Sequence, residues 1–129
     1  MTIAELCLPL MLLLIIASIA PAKLDGGRSF DNANPRDPNF YTPGLRARAL
    51  GAHQNGFEAF PFFAAAVILS EMHGASQGVV NGLALAFLAC RLLYALFYLT
   101  DKPTYRSALW SLALLCNLAL FFSPTWAPG

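Results

Sequence analysis

Residues 46–63 read RARALGAHQNGFEAFPFF, and the polar residues of this largely apolar stretch need partners elsewhere in the chain. Together with the apolar residues that follow as far as Met72, it predicts a membrane-spanning helix with Asn55 and Glu58 in its interior. A carboxylate inside the hydrocarbon core of a membrane costs about 2.5 kcal/mol or more. We therefore expect Glu58 to face protein or water and to have a polar partner.

The composition indicates an integral membrane protein of the all-α class. Hydrophobic residues make up 57% of the chain and charged residues only 12%, against about a quarter in soluble domains. The chain has no basic cluster with interleaved aromatic residues, which argues against nucleic-acid binding. Cys7, Cys90 and Cys116 fall in different apolar segments at spacings that match no metal or redox motif, so we interpret them as buried thiols and predict no metal site.

Apolar runs predict a single domain, residues 1–129, with four transmembrane helices at residues 3–20, 45–72, 79–100 and 105–122. A polar loop, residues 21–44, joins the first two helices. Two interpretations of this loop stay open: it is mobile, or it folds over the membrane surface as part of a site. A cleaved signal peptide is the alternative for the first run, but Glu5 stands where such a peptide has basic residues.

Basic residues are sorted to one end of the predicted bundle. Neither terminus nor the turn between the second and third helices contains Lys or Arg, so the positive-inside rule predicts cytoplasmic loops and two non-cytoplasmic termini. The expected location is the plasma membrane, which in a bacterium is the inner membrane. The residues in or beside the two cytoplasmic loops are Lys23, Arg28, Arg36, Arg46, Arg48, Lys102 and Arg106.

Helical rise predicts a partner for Glu58. Glu58 lies ten residues after Arg48, and Arg91 lies ten residues before Asp101, so each sits about 15 Å from the cytoplasmic boundary. A glutamate and an arginine at one depth on consecutive antiparallel helices predict an ion pair.

Neighbouring positions extend this pair into a polar crevice. Asn55 shares a helical face with Glu58, and Tyr94 and Tyr98 share one with Arg91. Arg48, Tyr98 and Arg106 are expected at the cytoplasmic mouth, where they offer donors for carboxylates or a thiolate. Two hypotheses remain open at this point: the network holds the helices in register, or it binds an anionic ligand.

Other polar and aromatic residues are given simpler interpretations. His53 is expected to make an interfacial hydrogen bond, His73 has no metal-ligating partner at a suitable spacing, and Glu71 is expected to be solvated. Trp110 and Trp126 are interpreted as packing or interfacial residues.

These residues together resemble the family of membrane-associated proteins in eicosanoid and glutathione metabolism, the MAPEG family. The resemblance covers the second to fourth helices and, weakly, the first. The motifs that carry it, in chain order, are Arg48, Ala52-His53, Asn55, Glu58 and Pro61, then Arg91, Tyr94 and Tyr98, then Arg106-Ser107.

The resemblance implies a homotrimer of four-helix subunits that binds glutathione between subunits and takes lipophilic small molecules from the bilayer. It implies catalytic roles for Arg106, which would stabilise the glutathione thiolate, and for the neighbouring Ser107. It also implies that glutathione is bound by Arg48, Asn55, Glu58, Arg91, Tyr94 and Tyr98.

One position departs from the family pattern. Gly51 stands where catalytic members usually carry an arginine that contacts a glutathione carboxylate. Our leading hypothesis is a glutathione-dependent transferase or peroxidase. The alternatives are a non-catalytic lipid-binding or scaffold member of the family, motivated by Gly51, and a small exporter that uses Glu58 as a proton-coupled carboxylate.

Overall fold

The computed structural model describes residues 1–25 and 29–129, so Arg28 lies outside the described residues. The described chain is helical, and the prediction of an all-α helical bundle is confirmed. The helices, in chain order, are α1 (Ile3–Ser18), α2 (Ala20–Leu24), α3 (Leu45–Met72), α4 (Gln77–Leu99) and α5 (Pro103–Trp126).

Three segments are long and apolar enough to cross a membrane: Ile3–Leu24, Gln77–Leu99 and Pro103–Trp126. The fourth long helix, α3, is not among them, because polar residues such as Arg48, Asn55 and Glu58 lower its mean hydropathy. At about 1.5 Å per residue, its 28 residues nevertheless give it a length comparable to that of its neighbours.

The helix α1 begins with a capping box. The Thr2 hydroxyl accepts a hydrogen bond from the Glu5 amide at 3.0 Å, and the Glu5 carboxylate accepts one from the Thr2 amide at 2.7 Å. These bonds satisfy amides that the first helical turn leaves without partners. Glu5 therefore has a structural role at the start of α1.

The predicted polar loop, residues 21–44, differs from the structure at its beginning. Residues 20–24 form α2, since Pro21 lacks the amide that would continue α1 but fits the first turn of a new helix. Farther along, Phe40 and Tyr41 are buried against Ala22 and Ala49. The described part of this segment therefore folds back onto the loop end of the bundle.

The final helix runs farther than residues 105–122 in both directions. Pro103 occupies its first turn, where no amide is needed. At the other end Pro124 cannot donate to the Leu120 carbonyl, but the hydroxyls of Ser70 and Ser123 donate to that oxygen at 2.6 and 2.8 Å. The helix continues to Trp126 because the carbonyl that Pro124 leaves open has these other donors.

Helices α3 and α4 form the centre of the bundle. Both contact α1 on one side and α5 on the other, whereas α1 and α5 do not contact each other. The rings of Phe63 and Phe87 stack between α3 and α4 with centroids 4.1 Å apart. On α1, the inward residues follow a helical stripe formed by Ala4, Cys7, Met11 and Ile15.

A glycine allows α1 to approach α3 closely. A Cβ atom added at Gly56 would lie 2.7 Å from Cγ1 of Ile15, well inside van der Waals contact. Small residues at such crossings are how membrane helices gain packing contacts without a hydrophobic driving force. In the same region, His53 Nδ1 lies 2.7 Å from the Ile15 carbonyl oxygen. His53 therefore donates to one of the last carbonyls of α1, which agrees with its expected interfacial role.

We predict that Gly56→Ala lowers the free energy of unfolding by about 1–3 kcal/mol, because the added methyl group displaces Ile15 from a packed interface. Gly82→Ala is the matched control, since nothing lies within 4 Å of a Cβ at that helical position. Thermal unfolding of both variants in detergent measures the difference. Equal shifts for the two variants would contradict this account of the α1–α3 contact.

Candidate functional site

A chain of hydrogen bonds connects α4 to α3 through three polar side chains. Arg91 is only 3% exposed, and its Nη2 donates to Oδ1 of Asn55 at 2.9 Å. The amide nitrogen of Asn55 in turn donates to Oε2 of Glu58 at 3.1 Å. The Asn55 carboxamide therefore accepts a hydrogen bond from the guanidinium and donates one to the carboxylate.

The prediction of a direct ion pair between Glu58 and Arg91 is wrong, because Asn55 lies between the two groups. Among the described residues the ion pairs are those of the N-terminus with Glu5 and of Arg46 with Asp25. Glu58 is exposed on α3, and the shorter side chain one turn earlier, Asn55, is the one that reaches Arg91. Sequence spacing put the three groups at one level, but it could not show which of the two α3 side chains faces α4.

Aromatic rings extend the polar cluster toward the loop end of the bundle. The Arg91 guanidinium lies 4.1 Å from the centroid of the Tyr94 ring, which packs edge-to-face on Tyr98 at 5.7 Å. The Arg106 guanidinium lies 4.5 Å from the centroid of the Tyr98 ring. Cation–π contacts of this kind orient a guanidinium while leaving its N–H groups free to bind an anion.

Tyr98 also occupies the space beside Gly51. A Cβ atom at Gly51 would overlap the Tyr98 hydroxyl and lie 2.7 Å from Cζ of its ring. The absence of a side chain at position 51 is therefore what lets the phenol rest against α3. Gly51, where the resemblance predicts an arginine, therefore allows the observed position of Tyr98.

The remaining predicted site residues lie near the same end. Arg48 uses its Nε to donate to the Leu99 carbonyl at 3.3 Å, at the end of α4. Ser107 is exposed in the first turns of α5, directly after Arg106. Glu71, by contrast, is not simply solvated: it accepts hydrogen bonds from Thr2 and Gln77 at the opposite end of the bundle.

A cavity of about 320 Å³ opens between α3, α4 and α5 beside the polar cluster. Its polar side chains are Asn55, Glu58, Arg91 and Asn117. The rest of the wall is apolar and is formed by Ala59, Phe62, Phe87, Trp110, Ala113, Leu114, Leu118 and Phe121. Apolar walls with a few polar groups at one side are typical of sites for small lipophilic ligands.

Two cavity residues were not recognised as site residues from the sequence. Trp110 was interpreted as a packing or interfacial residue, and it forms part of the cavity wall. Asn117 was not singled out, although a carboxamide within the apolar run of α5 is itself a signal, because polar groups in membrane segments are costly. Asn117 is 6% exposed, and its Oδ1 has no hydrogen-bond partner among the described residues.

The charges of the cluster suit an organic anion better than a metal ion. Two guanidiniums, those of Arg91 and Arg106, lie along one line of contacts with the phenol rings. Within residues 1–25 and 29–129, no group of three or more metal-ligating side chains lies together.

Comparison with known proteins identifies a family. A family model, that of the MAPEG family, matches residues 3–126, nearly the whole chain. No curated protein and no solved structure shows a significant match.

We predict that Asn55→Ala destabilises the bundle by about 1.5–3 kcal/mol, because the buried Arg91 guanidinium loses a hydrogen bond that a charged group needs. Glu58→Gln is the matched control, since a Gln oxygen still accepts from Asn55 and the residue at position 58 is exposed. Chemical unfolding in detergent checks the order of the two variants. A larger loss for Glu58→Gln would mean that Glu58, not Asn55, holds Arg91 in place.

Proposed function

The chain belongs to the MAPEG family, and from this premise we propose that it is a membrane-bound enzyme that uses glutathione as a transferase or peroxidase. Membership of the family supports a membrane protein related to glutathione chemistry. The observation that carries the more specific proposal is the unbroken line of contacts from Glu58 through Asn55 and Arg91 to the tyrosines and Arg106.

The groups along this line match the chemistry of glutathione. The peptide has two carboxylates, an ammonium group and a thiol. Arg48 and Arg91 offer guanidinium donors for carboxylates, and Glu58 offers an anion for the ammonium. The phenols of Tyr94 and Tyr98 and the amide of Asn55 supply neutral hydrogen-bonding groups along the peptide.

Arg106 and Ser107 carry the proposed chemistry. A guanidinium beside the sulfur favours the thiolate over the thiol, and the Ser107 hydroxyl can donate a hydrogen bond to the same atom. The thiolate then attacks an electrophilic carbon of a lipophilic substrate, forming a C–S bond as the leaving group departs with its electron pair. With a hydroperoxide, the thiolate attacks the terminal oxygen, so an S–O bond forms as the O–O bond breaks, and the departing alkoxide is protonated to an alcohol. The resulting glutathione sulfenic acid reacts with a second glutathione to give the disulfide and water, so two thiols are oxidised for each hydroperoxide reduced. Neither route requires a covalent intermediate with the protein.

The cavity beside the cluster supports a lipophilic second substrate. Phe62, Phe87 and Leu114 are among the apolar side chains of its wall, and Arg91 and Glu58 connect that wall to the polar line. A substrate entering from the bilayer would keep its apolar body in the cavity and meet the thiolate near the loop end. This division of polar and apolar binding is the arrangement that a glutathione transferase requires.

We propose that the working unit is a homotrimer with four membrane-spanning helices in each subunit. The exposed carboxylate of Glu58, half-way along α3, supports an assembly, since a neighbouring subunit would shield this charge from lipid. Lys23 in α2, Arg36 between α2 and α3, and Lys102 between α4 and α5 all lie at one end of the bundle. This sorting supports cytoplasmic loops and two non-cytoplasmic termini in the plasma membrane.

The second candidate function is lipid binding without glutathione, and the packing of Tyr98 on Gly51 favours it. The hydroxyl of Tyr98 rests where the side chain of an arginine at position 51 would begin. Loss of one charge-assisted hydrogen bond weakens a ligand by about 1.5–3 kcal/mol, roughly tenfold or more. A family member without that contact fits a scaffold role, in which the cavity still binds lipid and glutathione is no longer bound.

We predict that millimolar glutathione raises the unfolding temperature of the detergent-solubilised protein and that Arg106→Ala reduces this shift. A ligand at about one hundred times its dissociation constant stabilises by about 2.7 kcal/mol. Lys102→Ala is the matched control, because it removes one cation from the same end of the bundle and keeps Arg106. The proposal also requires glutathione-dependent turnover of a lipophilic electrophile or hydroperoxide. The proposal is rejected if the wild type shows no turnover with any electrophile or hydroperoxide of a broad panel and no thermal shift with glutathione.

Gly51→Arg separates the two candidate functions. If this protein has given up glutathione, the wild type shows no thermal shift and Gly51→Arg produces one, since the Tyr98 phenol can swing away from α3. Ala47→Arg, which adds the same charge one helical turn earlier on an exposed position, should not. A wild-type shift that Gly51→Arg fails to increase supports the enzyme with Tyr98 in the place of the missing arginine.

A further inference from the structure

Two of the three cysteines meet across the contact between α4 and α5. The thiol of Cys116 interacts directly with the thiol of Cys90. Each cysteine packs against the main hydrophobic core and lies on the inward stripe of its helix, since buried residues stand three positions before it and four after it. These buried residues are Phe87 and Tyr94 on α4 and Ala113 and Leu120 on α5. The packing of two helices therefore pairs thiols whose spacing in the sequence matches no redox motif.

The pair lies near the middle of the two helices. Cys90 stands eleven residues before Asp101, and Cys116 stands thirteen residues after Pro103. At 1.5 Å per residue these separations are about 16 and 20 Å from the loop end of the bundle. Both side chains are half-buried, and neither forms part of the cavity wall. A reagent that reaches these thiols therefore has to come through the hydrocarbon of the bilayer.

Cys7 serves as an internal comparison. It is 1% exposed and stands four residues after the start of α1, toward the end of the bundle opposite the loops. The helix α1 does not contact α5. Cys7 is therefore a thiol of the same chain that shares neither the depth nor the helix contact of the pair.

We propose that Cys90 and Cys116 form a redox-active dithiol, which a lipid-soluble quinone oxidises to a disulfide between α4 and α5. Two S–H bonds break and one S–S bond forms, while the quinone takes up two protons and two electrons and leaves as the hydroquinone. A quinone suits this depth because it dissolves in hydrocarbon and accepts the protons together with the electrons. No free thiolate is then needed in apolar surroundings, which disfavour a charge.

The disulfide would act on the cavity through the residue that follows each cysteine. Arg91 follows Cys90, Asn117 follows Cys116, and both of these residues form part of the cavity wall. A covalent link fixes the separation of α4 and α5 at this level. The oxidised protein therefore holds the cavity at one width, whereas the reduced protein lets the two helices move apart.

The test counts thiols in the full chain in lipid nanodiscs. A fully substituted benzoquinone with a decyl tail is the oxidant, because it cannot alkylate a thiol. After treatment the protein is unfolded, alkylated with N-ethylmaleimide and weighed by mass spectrometry. We expect a monomer in which one of the three cysteines, Cys7, is labelled, and dithiothreitol should restore labelling of all three. Oxidised glutathione at the same concentration should leave all three labelled, because it is water-soluble and does not enter the bilayer.

Single substitutions identify the pair. Cys90→Ala and Cys116→Ala should each keep both remaining thiols after quinone treatment. Cys7→Ala is the matched control and should lose both. The unfolding temperature of the wild type should rise on oxidation, because a disulfide restricts the unfolded chain, and that of Cys90→Ala should not change. The wild-type thiol count does not depend on the folding of any variant.

Four outcomes would overturn the inference. They are three labelled cysteines in the quinone-treated wild type, a loss of thiols that survives Cys90→Ala, a disulfide that joins two copies of the chain, and equal oxidation by oxidised glutathione, which would mean that the thiols are reached from water. The glutathione proposal stands or falls separately, on its own thermal shift and turnover, since neither Cys90 nor Cys116 belongs to that site.

Discussion

The buried guanidinium of Arg91 is the constraint on which the arrangement of α3 and α4 depends. A charge in the interior of an apolar bundle is tolerated only when it is held by polar or aromatic groups. Here Asn55 supplies an oxygen at 2.9 Å and Tyr94 supplies the face of a ring at 4.1 Å. The Tyr94 contact lies within α4, one helical turn from Arg91, whereas the Asn55 contact crosses to α3. The hydrogen bond to Asn55 therefore requires one particular rotation and register of α3 against α4.

Two glycines of α3 allow further close contacts. In the same register of α3 and α4, Tyr98 lies beside Gly51 and contacts Arg106 of α5, while on the other side of α3 Gly56 lies beside Ile15 of α1. Glycines at these two points are needed for opposite reasons. At Gly56 the missing side chain brings two helices together, whereas at Gly51 it makes room for an aromatic side chain that serves the site.

The placement of the flanking helices explains why the cavity has the composition it does. The helix α1 packs on the side of α3 and α4 away from α5 and contributes nothing to the cavity wall. The wall is therefore formed by α5 and by the faces of α3 and α4 that carry Asn55, Glu58 and Arg91. The polar side chains and the apolar cavity wall meet at Arg91 and Glu58, and this junction supports the proposed reaction between glutathione and a lipophile.

The sequence by itself determined the class of the protein, the approximate helices and the set of residues that gather near Arg91, because apolar runs and helical rise act along one dimension. It determined the sorting of Lys and Arg toward one end of the bundle for the same reason. Only the tertiary structure decided that Asn55 and not Glu58 reaches Arg91, that Tyr98 fills the space beside Gly51, and that Asn117 forms part of the cavity wall. Those facts depend on how each helix is rotated about its own axis, and the rotation is set by packing between helices that are far apart in the chain.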